Sequence, residues 1–361
     1  MKNLIKIYLR KKKSQAGLEF LILIGLFFTI LGIVIIYANS DMTNFIETQQ
    51  KGDITRTIAN AANQISALGP GSSKTIAIEV PKNIKQGFTA KKQIIIYSAD
   101  KNGISSTHHK SQANIFGLLE INRGTRYFIL KAEDNNYISI APLSNPDLWN
   151  NIEAYYSFEI KNDTHTLDAT GRNIPATLIG DIDCNYPGYI GSACFFNGSN
   201  YIEIQQIPAL ESDTVTMMAW INLSSIPPEN PYWSPIVVQF NQTSGHDEGY
   251  YLYINDTNPG FYIGCGSNKE VLSDIDIDFN KWYHIAGVNN GTDISIYING
   301  VQTNSLPIKC NGQYIDTFSH IGYDHIYNRY FNGIIDEVII FSRALDTEEI
   351  NKIYRLGREL E

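Results

Sequence analysis

Eighteen residues from Phe20 to Tyr37 run without a charge. That is long enough to cross a hydrocarbon core as a helix. Beyond it, Met42, Phe45, Ile46, Ile54, Ile58, Ala61, Ala62, Ile65 and Leu68 recur mostly at steps of three and four. This spacing predicts an amphipathic helix. Gly69-Pro70-Gly71 supplies the stop. One helix over 15–68 would be about 80 Å long at 1.5 Å per residue, with Gly52 as a point where it could bend.

From Ser72 the period changes to two. Thr75–Val80, Gln93–Tyr97, Ile115–Ile121, Arg126–Lys131 and Tyr137–Ala141 are short alternating runs, with turns at Asn102-Gly103 and Arg123-Gly124. They predict a small β-domain over 69–147, packed on the helix end. Ser144-Asn145-Pro146-Asp147 reads as a linker. After it come Ala154–Phe158, Ala193–Phe196, Tyr201–Ile204, Val215–Ile221, Ile236–Gln239, Tyr250–Ile254, Phe261–Gly264, Trp282–Val288, Ile294–Ile298 and Ile335–Phe341. Many short strands between turn residues predict an all-β sandwich over 148–361. Asn299-Gly300 is a two-residue hairpin turn, and Asp346 with Glu349 makes a capping box for a short last helix. The fold class is mostly β with one long N-terminal α-helix.

Charge divides the chain. Lys2, Lys6, Arg10, Lys11, Lys12 and Lys13 precede the apolar run with no acid among them. Without these six the chain holds 22 basic and 37 acidic residues, a net of −15. Such a surface argues against nucleic acid, whose affinity comes mainly from basic side chains on phosphate. The basic cluster keeps residues 1–14 on the cytoplasmic side and directs everything after Tyr37 outward. The four cysteines lack CxxC spacing, which argues against zinc. An even count outside the cell favours two disulfides, with three possible pairings. Cys184–Cys194 and Cys265–Cys310 are expected, each joining neighbouring strands; four buried free thiols are the alternative.

The N-terminus admits three readings. It is a secretory signal cut near Ala38-Asn39-Ser40, a plain uncleaved anchor, or a leader cut before the apolar run. The third accounts for Glu19. Basic residues, then Ser14-Gln15, then Gln15-Ala16-Gly17-Leu18-Glu19-Phe20, resemble the class III signal peptides of archaeal type IV pilin-like proteins. The resemblance implies cleavage between Ser14 and Gln15 by a class III signal peptidase, with Glu19 at position five of the mature chain. Gly17 departs from the family's usual Ser. It further implies that the helix leaves the membrane to pack against other pilin subunits, Glu19 pairing with a neighbour's new α-amino group. A buried carboxylate needs such a partner. The 69–147 β-domain would then be the pilin-like head.

The stretches "AYYSFEI", "LDATGRN", "GSACFFNGSNYIEI", "VTMMAWINL", "KWYHIAGV", "ISIYINGV" and "YFNGIIDEVIIFSRALDTEEINKIY" resemble the laminin-G-like, concanavalin A-like jelly-roll family. The family binds sugars or proteins and includes hydrolases. The Glu-x-Asp-x-x-Glu strand motif of its glucanases does not occur in the sequence, and Asp274–Asp278 reads as a solvated edge or turn, so a non-enzymatic role is expected. The resemblance implies Ca²⁺ at Asp168 in "DATG" and Asp336 in "GIIDEV". It also implies a ligand face where Asp247 and Glu248 meet Asp324, surrounded by Tyr323, His325, Tyr327 and Arg329. Tyr faces suit sugar C–H surfaces and acids suit hydroxyls. The plainer alternatives are an Asx-turn at Asp168, a loop hydrogen bond at Asp336 and a solvated loop at Asp324. His108-His109 reads as a solvated loop.

Six Asn-x-Ser/Thr sequons, at Asn162, Asn197, Asn222, Asn241, Asn255 and Asn290, all lie in this half. Together the features lead to a surface filament subunit, minor or at the tip, displaying a lectin-like domain toward glycans or cell-surface proteins. The alternative is a membrane-anchored binding or structural protein outside any filament.

Overall fold

The protein's structure, a computed structural model, describes the backbone of residues 2–100, 103–133, 137–159, 161–172, 174–205, 207, 214–226, 233–243, 246–265, 269–308 and 319–357. Side chains at 2–19, 38–41, 43–47, 90, 100, 242–243, 246–247 and 265 lie outside the description. Two compact units result, Met1–Asp53 and Ile54–Glu361. The expected break after residue 147 falls inside the second.

Helix α1 runs Lys2–Leu68. Residues 2–14, rich in Lys, Leu and Ile, have helical propensity of their own and lie within it. It stops at Leu68, where Gly69 turns to a φ of 86°. In the first unit, Phe20–Tyr37 has a mean hydropathy of 2.9 and none of it is buried.

The second unit begins with the amphipathic end of α1. Ile54, Ile58, Ala61, Ala62 and Ile65 are buried against Ile76, Ile78, Phe128 and Leu130, as the spacing predicts. Asn63 Oδ1 ties this helix to the chain beyond it by accepting from Ser111 Oγ and Gln112 N at 2.7 and 2.8 Å. The strands beyond the helix are β1 (Ser73–Val80), β2 (Ile84–Ala90), β3 (Gln93–Asp100), β4 (Gly103–Lys110), β5 (Asn114–Leu118), β6 (Gly124–Ala132) and β7 (Tyr137–Pro142). Among the described residues they form one sheet in the order β1-β6-β7-β5-β2-β3-β4, in which β5 and β7 pair in parallel. His108 and His109 lie on the edge strand β4 rather than in a loop. That strand is polar and exposed, so apolar alternation could not reveal it.

The sandwich follows. Its strands are β8 (Ile152–Tyr156), β9 (His165–Thr166), β10 (Ala176–Ile179), β11 (Asp183–Pro187), β12 (Ser192–Asn197), β13 (Tyr201–Ile204), β14 (Val215–Leu223), β15 (Trp233–Thr243), β16 (His246–Asn255), β17 (Asn258–Cys265), β18 (Lys269–Leu272), β19 (Trp282–Asn289), β20 (Asp293–Ile298), β21 (Val301–Pro307), β22 (Ser319–Ile321), β23 (Tyr323–Asp324), β24 (Arg329–Tyr330) and β25 (Asn332–Phe341). Among the described residues one sheet has the order β18-β17-β16-β15-β22-β13-β10-β9. The other has β11-β12-β25-β14-β19-β20-β21, with β8 on β25. Their inner faces bury Phe196, Ile202, Met217, Ile221, Leu252, Phe261, Ile296 and Ile340 together. The fold is a β-sandwich jelly roll. Asp274–Asp278 lies in the irregular chain after β18, as a turn. Asp346 and Glu349 form the expected capping box of α2 (Thr347–Arg355).

A separate apolar cluster joins the small sheet to the sandwich. Phe88, Phe116 and Leu118 meet Trp149, Tyr155, Ile190, Phe341 and the α2 residues Ile350 and Ile353. Lys352 Nζ lies 3.0 Å from Glu120 Oε2, and Gly357 N donates to Leu119 O at 2.9 Å. The last helix therefore docks on the small sheet, which explains why residues 54–361 behave as one unit.

Of the cysteines, Cys184 and Cys194 form a disulfide between β11 and β12. The Cys265 side chain and all of Cys310 lie outside the described residues, as do the side chains of Ser14, Gln15, Glu19 and Asp247.

Candidate functional site

Side chains alternate between the faces of a strand. On β16 and β17, Tyr250, Leu252, Ile254, Phe261 and Ile263 point into the core. Tyr251, Tyr253 and Tyr262 therefore come to the outer face, where Val238 and Phe240 of β15 join them. A soluble sheet does not leave such a face bare, and the β23–β24 hairpin folds over it. Gly322 makes this possible. Its φ is 77°, and a Cβ there would sit 2.4 Å from Phe196 Cδ1.

The hairpin buries Asp324 completely. Asp324 Oδ1 accepts from the backbone N–H groups of Ile326 and Tyr327 at 3.0 and 3.3 Å, which shapes the turn. Its Oδ2 accepts from the Tyr251 hydroxyl at 3.1 Å and lies 3.8 Å from Arg329 Nη1. Burial, then the Asp324 charge, holds the Tyr251 hydroxyl well above the usual phenol range, so it stays a donor. The Arg329 guanidinium stands 5.0 Å from the Trp233 ring centroid and 4.5 Å from that of Tyr327, a cation–π arrangement on both rings. Its Nε is buried and finds no acceptor among the described residues.

Between these groups lies a cavity of about 270 Å³ lined by Trp233, Phe240, Tyr251, Tyr262, Asp324, Tyr327 and Arg329. Trp233 stacks on Tyr253 at 4.2 Å. The arrangement offers aromatic walls, a buried carboxylate and an arginine whose donors are not all used. That is the makeup of a binding pocket: mostly apolar lining and a few placed polar groups. Asp324 accepts three hydrogen bonds and keeps acceptor capacity on Oδ2.

Of the expected ligand residues, Asp324, Tyr327 and Arg329 line the cavity. Tyr323 and His325 lie on the hairpin's other flank. Tyr323 stacks on Tyr201 at 4.3 Å, and His325 packs 5.2 Å from His320. Burial, then His325, pushes His320 down to about 4. Glu248, the third residue of β16, lies opposite Asn241 and Cys265 and does not line the cavity. Trp233, Phe240, Tyr251 and Tyr262 were not anticipated. For Tyr251 and Tyr262 the sequence signal is the doubled Tyr250-Tyr251 and Phe261-Tyr262, where both faces of a strand are aromatic.

The expected calcium residues stand apart from this pocket. Asp168 accepts from the N–H groups of Tyr155, Thr170 and Arg172 and from Thr170 Oγ1. Asp336 accepts from Ile190 N and Glu337 N at 3.0 and 2.8 Å. Among the described residues no group of three or more His, Cys, Asp or Glu converges to hold a metal. With their acceptors committed to backbone donors, the two carboxylates do not fit a shared ion.

A second cavity of about 320 Å³ lies at the joint, lined by Phe116, Trp149, Asn150, Asn151, Thr170 and Arg172 among others. Arg172 is already paired there with Glu153 at 3.1 Å.

Residues 196–351 match the family profile Laminin_G_3 of the concanavalin A-like lectin/glucanases superfamily. Solved structures are similar to part of the chain at low identity. Domain 4 of AbnA, a GH43 extracellular arabinanase from Geobacillus stearothermophilus solved with arabinotriose, is 21% identical with a TM-score of 0.46. The match covers 56% of this chain and 98% of that one. The receptor binding domain of botulinum neurotoxin C/D mosaic serotype is 20% identical with a TM-score of 0.46, over 57% of this chain and 51% of that one. The binding domain of Paraclostridial Mosquitocidal Protein 1 is 18% identical with a TM-score of 0.47, over 57% and 52%. The chain thus spans about half of the toxin domains. No curated protein matches it.

Proposed function

We propose that this protein is a non-catalytic saccharide-binding adhesin, held at the cell surface by α1 and assembled there into a type IV pilus-like filament as a minor or tip subunit. The observation that carries the binding reading is the cavity under the β23–β24 hairpin. An aromatic wall, a buried acid and an arginine with an unused Nε–H suit a sugar ring, whose C–H face packs on Trp or Tyr and whose hydroxyls both accept and donate. The superfamily match over 196–351 supports a lectin-like use of the sandwich.

The anchor rests on the apolar, unburied Phe20–Tyr37 and on the six basic residues before it. The disulfide fits an oxidising exterior. The filament role rests on the order of Ser14, Gln15 and Glu19 ahead of the apolar run. A filament built from many copies has little use for a lectin-like sandwich on each, which favours a minor or tip position. Glycans, or glycosylated surface proteins, are the partners.

A glycan array probed with the detergent-solubilised full chain tests the binding reading. Saccharide binding that Arg329→Ala abolishes supports it, and an array without signal overturns it. Running the array with and without calcium registers any metal requirement. N-terminal sequencing of the native protein tests the filament reading. A mature start at Gln15 supports it, and a start at Met1 or Asp41 overturns it. Glu19→Ala is expected to spare cleavage and prevent assembly.

A further inference from the structure

The six sequons divide three and three in the fold. Asn162, Asn197 and Asn290 are exposed, and each opens a turn in which its own Oδ1 gathers the hydroxyl two residues on. Asn162 Oδ1 accepts from Thr164 N, Thr164 Oγ1 and His165 N at 2.9, 3.1 and 2.8 Å. Asn197 Oδ1 accepts from Ser199 N and Oγ at 3.0 and 2.8 Å. Asn290 Oδ1 accepts from Thr292 N, Thr292 Oγ1 and Asp293 N at 2.9, 2.9 and 2.8 Å. Three separate sites share one local geometry.

Asn197 ends β12 opposite Asn332 but is exposed, whereas the other three are half-buried in their strands. Asn222 of β14 is flanked by Trp282 of β19 and Ile334 of β25, so both edges of its backbone are paired. Asn241 of β15 faces Glu248. Asn255 faces both Trp233 and Asn258, and its following hydroxyl, on Thr257, donates to Asp276 at 3.3 Å instead.

We propose that Asn162, Asn197 and Asn290 are N-glycosylated on the folded protein and that Asn222, Asn241 and Asn255 stay bare. In the reaction the carboxamide Nδ2 forms a bond to the anomeric carbon of a glycosyl phosphate donor. The anomeric C–O bond breaks, the phosphate leaves with its electron pair, and Nδ2 gives up one proton to a base of the transferase. A transferase must close around the three residues from Asn to the hydroxyl. Exposed side chains at Asn162, Asn197 and Asn290, each leading into a turn, allow that, whereas at half-buried Asn222, Asn241 and Asn255 the chain would first have to open its packing and ladder bonds. The disulfide and the basic-then-apolar N-terminus both put this half of the chain outside the cell. The inference does not rest on the saccharide-binding reading.

Glycopeptide mass spectrometry of the protein purified from its own host's envelope tests it. The expected result is a hexose-type mass increment on the three peptides holding Asn162, Asn197 and Asn290, and none on the other three. Asn162→Gln, Asn197→Gln and Asn290→Gln are each expected to remove one increment, and the triple variant all of them. Thr164→Ser, which keeps the hydroxyl, is expected to retain its glycan, whereas Thr164→Val loses it. An unmodified asparagine among the three, or a glycan on Asn222, Asn241 or Asn255, overturns the proposal. Modification at all six would place transfer before folding and overturn it equally.

Discussion

The Tyr251 hydroxyl donates to Oδ2 of Asp324 across 3.1 Å, with both side chains buried. This bond joins the sheet to the hairpin that covers it. Removing it with Tyr251→Phe strands a buried carboxylate oxygen, which costs about 1–3 kcal/mol. The expected result is a lower Tm together with weaker saccharide binding, read by calorimetry on the same sample. An unchanged Tm would mean that the hairpin is held by its apolar contacts alone.

Trp233→Ala separates binding from folding. Trp233 is only half-buried at the cavity rim, so its loss spares the core. Saccharide affinity is expected to fall roughly tenfold, the equivalent of about 1.4 kcal/mol, with Tm moving little. Titration calorimetry against an array-selected oligosaccharide decides it.

Acid is expected to loosen the same hairpin. The His320 pKa falls from 6.5 to about 4 in the fold, because burial, and then His325, disfavour its charged form. Between these values the unfolded chain binds the extra proton, so stability declines as pH drops from about 6.5 toward 4. His320→Phe is expected to flatten that part of a Tm-against-pH curve. An equal slope in the variant would remove His320 as the cause.

The opposite slope is expected from Glu159, half-buried where Gly191 of the sandwich approaches Phe88 of the small sheet. Burial raises its pKa from 4.5 to about 7, against the opposing hydrogen bond from Ser192 N and the charge of Lys161. Here the folded chain holds the proton, so stability falls as pH rises from about 4.5 through 7. Glu159→Gln mimics the protonated form and is expected to remove this loss. The two slopes oppose each other between about 4.5 and 6.5, so each single variant is expected to expose the other's slope in the same pH range.

The Cys184–Cys194 bridge closes a loop with a sequence separation of 10. Its removal by Cys184→Ser with Cys194→Ser is expected to cost about 2–3 kcal/mol. A melt in reductant should match the double variant.

Much of this protein was legible as pattern. The apolar run, the amphipathic Ile54–Ile65 stripe and the stop at Gly69 follow from period and backbone chemistry, so the helix and its buried face could be written down in advance. Strands such as Val215–Leu223 and Asp293–Ile298 declare themselves by apolar side chains, and the capping box at Asp346 is local. What repeats with period 2 or 3.6, or acts across a few residues, is carried by the sequence itself. The edge strand β4 escaped because nothing packs on it, and the short strands β22 to β24 because they are smaller than any period. The binding cavity was only half visible. Asp324, Tyr327 and Arg329 lie in one loop, but Trp233, Phe240, Tyr251 and Tyr262 reach them only after β15, β16 and β17 pair side by side and Gly322 turns the hairpin over them. Nor could the sequence choose between calcium and an Asx-turn at Asp168, or say that α2 would lock the sandwich to the small sheet. Those outcomes depend on contacts between residues far apart in the chain, which only the closed tertiary structure selects.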